Sequence, residues 1–263
     1  MTTTKPNALK LPLEVSNLTV SHGRKKLLNS VTMSIKPGEL VAIIGPNGAG
    51  KSTLLSHILS SRHSNVNFWG TPRKSWSPEY LARYVAMLPQ HSSLVFPFTV
   101  REVVEMGGYP LKLPRHKLTP LVNDAMEKTG VVPLSSRSFP SLSGGEKQRC
   151  QLARLFVQLG LTEGRDMLLL DEPTSALDLH HQHGLLTTLK SMANNGCAVI
   201  TVLHDLNLVA RFADRVIVMD NGKLVMDGTP WEVMTSDELG DIYQCKFDIS
   251  SHPRLATPVL AVS

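Results

Sequence analysis

The sequence predicts an α/β fold built on a parallel core sheet, with an antiparallel piece at its start. Three observations lead there. Short unbroken apolar runs, Leu40–Ile44, Met167–Leu170 and Ala198–Leu203, have the length and composition of strands buried on both faces. Segments of helical periodicity separate them, as a parallel sheet requires. Ahead of the first run, apolar and polar residues alternate between turn signals, the mark of antiparallel pairing.

Taken in order, residues 1–12 are polar and Pro-containing without periodicity, and are expected to form a loose tail. Leu13, Val15, Leu18 and Val20 alternate up to a turn at Ser21-His22-Gly23-Arg24, and Val31, Met33 and Ile35 alternate again before Pro37-Gly38. After Gly45 the pattern turns helical, with Leu54, Leu55, Ile58 and Leu59 on one stripe. Residues 92–161 read as mostly helical, in the segments Thr99–Met106, Lys117–Thr129 and Gly145–Leu159. A further helix bearing Leu185, Leu186, Leu189 and Met192 lies between the last two buried strands. Arg215–Met219 and Lys223–Met226, joined by Asp220-Asn221-Gly222, form a hairpin.

Composition excludes several classes. With 42% apolar and 19% charged residues over 263 positions, the chain is neither disordered nor collagen-like. No run of 18 apolar residues could cross a bilayer. The first residues lack the apolar stretch of a secretory signal, and three scattered cysteines fit a reducing compartment better than a disulfide or zinc framework, so a cytosolic chain is expected. A net charge of +5 is compatible with nucleic acid, nucleotide or a membrane-associated partner, but it is dispersed, and its densest cluster, Arg24-Lys25-Lys26, reads as a solvated turn. His180, His181 and His183 likewise read as a solvated helix start rather than a metal or heme site.

Gly45-Pro46-Asn47-Gly48-Ala49-Gly50-Lys51-Ser52 carries the chemistry. It follows a buried strand and opens a helix, the setting in which G-x-x-x-x-G-K-[ST] binds polyphosphate. The glycines let successive N–H groups point inward, the helix N-terminus adds partial positive charge, Lys51 adds a full one, and Ser52 offers a hydroxyl to Mg²⁺. Chance alone gives such a match in about one chain in a hundred of this length. Asp171 and Glu172 end a second buried strand, where ligands gather in a doubly wound sheet. Asp171 is placed to hold Mg²⁺ and Glu172 to orient and deprotonate a water. His204 ends a third strand and is expected to reach the γ-phosphate or that water. Gln90, closing Val85–Pro89, is expected to reach Mg²⁺ and the water. Ser143-Gly144-Gly145-Glu146 opens a long helix as a second anion seat, with Ser143 capping and Glu146 completing a capping box. One triphosphate loop with two seats hints that the second serves another copy's nucleotide.

In order, these residues resemble the ATP-binding subunits of ABC transporters from about Leu13 to Ile242. Gly45–Ser52 resembles the Walker A loop, Gln90 the Q-loop, Leu142–Glu146 the LSGGQ signature, Leu168–Asp171 with Glu172 the Walker B strand and its catalytic glutamate, Ser175-Ala176-Leu177-Asp178 the D-loop, and His204 the switch histidine. The resemblance implies the P-loop NTPase fold of ABC ATPases, a RecA-like parallel core sheet with an antiparallel β subdomain and an inserted helical subdomain. It divides the chain into a tail (1–12), an ATPase domain (13–242, helical subdomain about 92–161) and a short C-terminal extension (243–263). It also implies ATP and Mg²⁺ as cofactors, Thr53 beside the Walker A loop as an ATP contact, and Ser52, Gln90 and Asp171 around the metal. Lys51, Glu172, His204 and Gln90 would be catalytic, and Ser143, Gly144, Gly145 and Glu146 would bind ATP in trans across a head-to-tail homodimer. The departures are Glu146 in place of Gln in the signature and His22 where an aromatic usually stacks on adenine.

The stretch Phe96–Gly107 is similar to importers of iron–siderophores, cobalamin and especially hemin. There Phe96, Phe98, Val100 and Tyr109 would line the groove for a membrane subunit, the alternative being that they pack in the core of the helical subdomain. The expected partners are a second copy, two membrane permease subunits and, indirectly, a periplasmic substrate-binding protein, at the cytoplasmic face of the bacterial inner membrane and without nucleic acid. The expected cargo is hemin, with ferric siderophore or cobalamin as alternatives. A soluble ABC-type ATPase acting on ribosomes or nucleic acid would carry two cassettes or a coiled-coil insertion, and a P-loop kinase would have no use for Leu142–Glu146 or His204.

Overall fold

The computed structural model describes residues 6–7, 9–90, 96–160 and 165–263. The chain begins β1 (Leu13–His22), β2 (Lys25–Ile35), β3 (Leu40–Ile44), α1 (Lys51–Ile58), β4 (Val66–Phe68) and β5 (Thr71–Pro72). It continues α2 (Pro78–Leu81), β6 (Val85–Leu88), α3 (Val100–Glu105), α4 (Arg115–Lys128), α5 (Gly144–Leu159), β7 (Met167–Asp171) and α6 (Leu179–Asn194). It ends β8 (Ala198–Val202), α7 (Leu206–Phe212), β9 (Arg215–Asp220), β10 (Lys223–Gly228), α8 (Pro230–Met234), α9 (Asp237–Tyr243), β11 (Phe247–Ser251) and β12 (Pro258–Val262).

The core sheet has six strands in the order β10-β9-β3-β8-β7-β6, parallel throughout except for β10. Its strands read as continuous apolar runs because both faces are covered. On β3, Leu40, Ala42 and Ile44 enter the cluster shared with α3–α6, while Val41 and Ile43 enter the cluster under the antiparallel sheet and α1. On β7, Leu168 and Leu170 go one way, Met167 and Leu169 the other. A one-residue slip would exchange the two sets, so register is strongly specified. Each fully buried Leu or Ile contributes about 1.5–3 kcal/mol to holding it.

The second sheet is antiparallel, ordered β2-β1-β4-β5. The turn expected at Ser21–Arg24 narrows to Gly23-Arg24, since His22 pairs with Lys25. β4, β5 and α2 were not legible, because elements of two to four residues are too short to display a period. The end of the expected tail is tied down: the Trp69 N–H donates to the Pro12 carbonyl at 3.3 Å. Residues 1–5 and 8 of that tail, and residues 92–95 and 161 of the expected helical subdomain, lie outside the described residues.

The helical subdomain packs α3 and α4 on α5. Thr99 caps α3 in a capping box with Glu102. That placement corrects the expectation for Val100: as the first residue of α3 it is fully buried in the core and cannot face a partner. Phe98 also packs against this core, whereas Phe96 (70% exposed) and Tyr109 (74% exposed) stand on the surface. α9 runs across the boundary expected at residue 242, and β11–β12 form a hairpin whose Leu260 enters the main core.

Candidate nucleotide site

Sheet register alone gathers the chemistry. β7 and β8 pair as far as Asp171↔Val202, and β6 and β7 as far as Leu88↔Leu170, so Gln90, Glu172 and His204 all emerge at one edge. β3 lies beside β8 and releases the phosphate loop at the same edge. This is where ligands bind in open parallel sheets.

The phosphate loop is held tightly. Gly45 has φ +141°, and a Cβ there would stand 2.0 Å from the Met219 carbonyl, so only glycine fits. Gly50 caps α1 in the left-handed region without any side-chain cap, leaving the helix N-terminus open to an anion. Lys51 is buried, and its Nζ donates to the carbonyls of Gly45 (2.7 Å) and Pro46 (2.9 Å). Burial lowers its pKa, opposed by the negative charges of Glu172 and Asp171.

The two carboxylates at the end of β7 are pushed in opposite directions. Asp171 is buried, and burial raises its pKa despite the Ser52 hydroxyl, which donates to Oδ1 at 3.1 Å. For Glu172, burial also raises the pKa. The hydrogen bond and charge of His204, the Gln90 amide and Lys51 together outweigh that, and the carboxyl lies below its usual range. His204 Nε2 is 2.7 Å from Glu172 Oε1. Glu172 also has φ +51°, a conformation that costs a non-glycine residue energy and is over-represented at functional sites. Neighbouring acids with separated proton affinities are suited to different roles.

Ser143 opens α5 with the expected capping box: its side chain accepts from the Glu146 N–H at 3.3 Å, and Glu146 Oε2 accepts from the Ser143 N–H at 2.8 Å. The backbone bond to Ser143 is the main reason that Glu146 lies below its usual pKa. Arg137 adds an ion pair to Glu146 at 3.3 Å. Gly144 and Gly145 pack under Ala176, and a Cβ at Gly145 would come within 2.7 Å of the Ala176 carbonyl. In the Ser175–Asp178 segment, Ser175 Oγ donates to the Glu172 carbonyl at 3.0 Å, Leu177 is buried, and Asp178 caps α6. Asp178 accepts from His181 Nδ1 at 2.7 Å, and His181 Nε2 lies 2.8 Å from Arg149. His181 is therefore a bridge between α5 and α6, and His183 packs edge-on against Phe212. Among the described residues, no group of three or more His, Cys, Asp or Glu is placed to hold a metal ion by itself.

A cavity of about 760 Å³ brings together Asn47, Gly48, Ala49, Gly50, Lys51, Ser52, Thr53, Gln90, Glu172 and His204. Gly45, Pro46 and Asp171 are not among the lining residues; Gly45 and Asp171 are buried, and Pro46 lines a neighbouring pocket. Ser143–Glu146 and Ser175–Asp178 are not in it, and neither is His22, which stands at the tip of the β1–β2 hairpin. Lys25, Lys26 and Leu27 line the wall instead; Arg24, Lys25 and Lys26 are exposed at and beside a turn as expected, and the two lysines also border the site. Sequence reasoning also missed Gln148, whose amide donates to the Glu172 carbonyl (3.0 Å) and accepts from the Ala176 N–H (3.2 Å). Its place within the Ser141–Arg149 run was the only available signal.

Residues 28–175 match the family model described as ABC transporter. The chain is 44% identical to the hemin import ATP-binding protein HmuV of Vibrio parahaemolyticus, over 92% of this chain and 94% of that one. It is 42% identical to the protein of the same name from Vibrio cholerae, over 95% of this chain and 98% of that one. Among solved structures, an inward-facing putative metal-chelate type ABC transporter superposes with a TM-score of 0.77 at 24% identity, covering 97% of this chain and 98% of that one. A part of the ABC transporter complex cbiONQ from Clostridium perfringens gives a TM-score of 0.70 at 27% identity, covering 88% and 93%. No helix among the described residues is long and apolar enough to cross a membrane. With the α/β fold of ABC ATPase domains and this level of identity, the chain belongs to the ABC transporter family and is one of its ATP-hydrolysing, ATP-binding subunits.

Proposed function

We propose that this chain is the energy-coupling ATPase of a hemin importer, acting as a homodimer docked on two permease subunits at the cytoplasmic face of the inner membrane. The cargo reading rests on the hemin import proteins that it resembles over nearly their full length. The dimer reading rests on one observation: the cavity of a single chain holds the phosphate loop, Gln90, Glu172 and His204 but not Ser143–Glu146. An anion seat outside its own chain's cavity is free to close a neighbour's.

Within such a pocket the inward N–H groups of Gly48–Ser52 and the Lys51 ammonium hold the triphosphate. Glu172, kept ionised by His204 and Gln90, accepts the proton of the attacking water, and His204 fixes the carboxylate's orientation. Ser52 and buried Asp171 are hard oxygen donors 3.1 Å apart, with Gln90 at the same strand edge, a set that fits Mg²⁺. When bound, that ion would neutralise phosphate charge. Phe96 and Tyr109, both exposed on the helical subdomain, are the surface proposed to meet the permease.

Deleting the gene and growing the cells separately on hemin, ferric siderophore and cobalamin tests the cargo. Loss of growth on hemin alone is expected; loss on one of the others instead would reassign it.

A further inference from the structure

Tyr243 closes α9, at the edge of the expected C-terminal extension, yet it reaches the phosphate loop. Its hydroxyl accepts a hydrogen bond from the Gly45 N–H at 2.8 Å, across 198 positions of sequence. The carbonyl of the same glycine accepts from Lys51 Nζ at 2.7 Å. One residue thus has its N–H held by the C-terminal helix and its C=O by the loop's lysine. The two bonds fall on successive peptide groups, Ile44–Gly45 and Gly45–Pro46, so both sides of the Gly45 Cα are held.

The contact is built rather than incidental. The Tyr243 ring is half-buried and edge-on to Phe247, with centroids 6.2 Å apart, and burial raises its phenol pKa, keeping the hydroxyl neutral. No side chain can be added at Gly45, since a Cβ there would meet the Met219 carbonyl. Beyond Tyr243 the chain reverses at Gln244 (φ +54°) into the β11–β12 hairpin. That hairpin is anchored where Asn207 of α7 donates to the Leu260 carbonyl (3.0 Å) and accepts from its N–H (2.9 Å). α7 is the helix that follows His204. The C-terminal strap therefore spans from the first residue of the phosphate loop to the helix behind the strand-end histidine.

We propose that Tyr243 is a positioning residue for nucleotide binding, its hydroxyl holding the Gly45 peptide in the orientation that receives the triphosphate. The proposal rests on ATP binding at the phosphate loop. Without the hydroxyl, the Gly45 N–H loses its acceptor and the binding-competent loop becomes a smaller fraction of the free protein. Apparent affinity falls by that fraction. Once ATP is bound the phosphates fix the loop, so the chemical step is little changed.

The test is Tyr243→Phe in the full chain, with ATP binding by calorimetry and steady-state hydrolysis, alongside wild type and Lys51→Ala. Tyr243→Phe should raise Kd and KM for ATP about tenfold, the scale of one unpaired buried donor, with kcat within about twofold. A purely structural role would instead lower the thermal midpoint and the active fraction, reducing kcat at unchanged KM, and that result would overturn the proposal. ATP binding by wild type that is lost in Lys51→Ala upholds the nucleotide site whatever Tyr243→Phe does. Absence of wild-type binding would instead sink the reading on which the proposal rests.

Discussion

Two helix N-termini are proposed to face phosphate, and they are finished in opposite ways. α1 begins at Gly50 with no side-chain cap and no acid in its first turn, next to a buried lysine. α5 begins at Ser143 with a complete capping box and Glu146 in its first turn. The first leaves its donors and dipole without a side-chain cap and so open to an anion. The second satisfies itself and has Ser143's hydroxyl hydrogen and the neighbouring glycine N–H groups left to offer. The lesson is one of order: on the proposed reading the open terminus captures the nucleotide, and the closed one contributes when a second protomer brings it to an occupied site.

That asymmetry is most strongly probed by Ser143→Arg, which fills the second seat. ATP binding to the single chain should stay within about twofold of wild type, while hydrolysis falls by about a hundredfold or more, as when transition-state donors are removed. Lys51→Ala, at the open terminus, should lose binding as well. Equilibrium titration beside turnover separates the two, and a joint loss in Ser143→Arg would erase the distinction.

A smaller effect sharpens the role of the strand-end acids. As the proposed base, Glu172 must be deprotonated to accept a proton, and His204 leads the groups that lower its pKa against burial. His204→Ala removes that help, so the Glu172 pKa rises and activity is lost at a higher pH as the medium is acidified. A pH profile of kcat reads this directly. An acid limb that stays in place would mean that His204 does not set the base.

Much of this site was legible because its chemistry is local. Gly45–Ser52, the buried runs of β3, β7 and β8, and the Ser143–Glu146 capping box are each encoded within a few consecutive residues. What was not legible depends on distant partners. Val100 looked like a surface contact until its place at the first turn of a capped, core-facing helix was seen. Lys25 and Lys26 are exposed, as expected of a solvated cluster, but nothing in the sequence shows that they also border the phosphate loop. Gln148 and Tyr243 make bonds that span 24 and 198 positions; Gln148 is marked only by its place in the Ser141–Arg149 run, and no local pattern signals Tyr243.

The most direct measurement is the mass in solution of Glu172→Gln, in which cleavage should be blocked while the nucleotide contacts remain. With ATP, light scattering should report twice the 28.9 kDa of one chain, and adding Ser143→Arg should return it to a single chain that still binds ATP. Glu172→Gln that remains a monomer at saturating ATP, or a dimer indifferent to Ser143→Arg, would contradict the account.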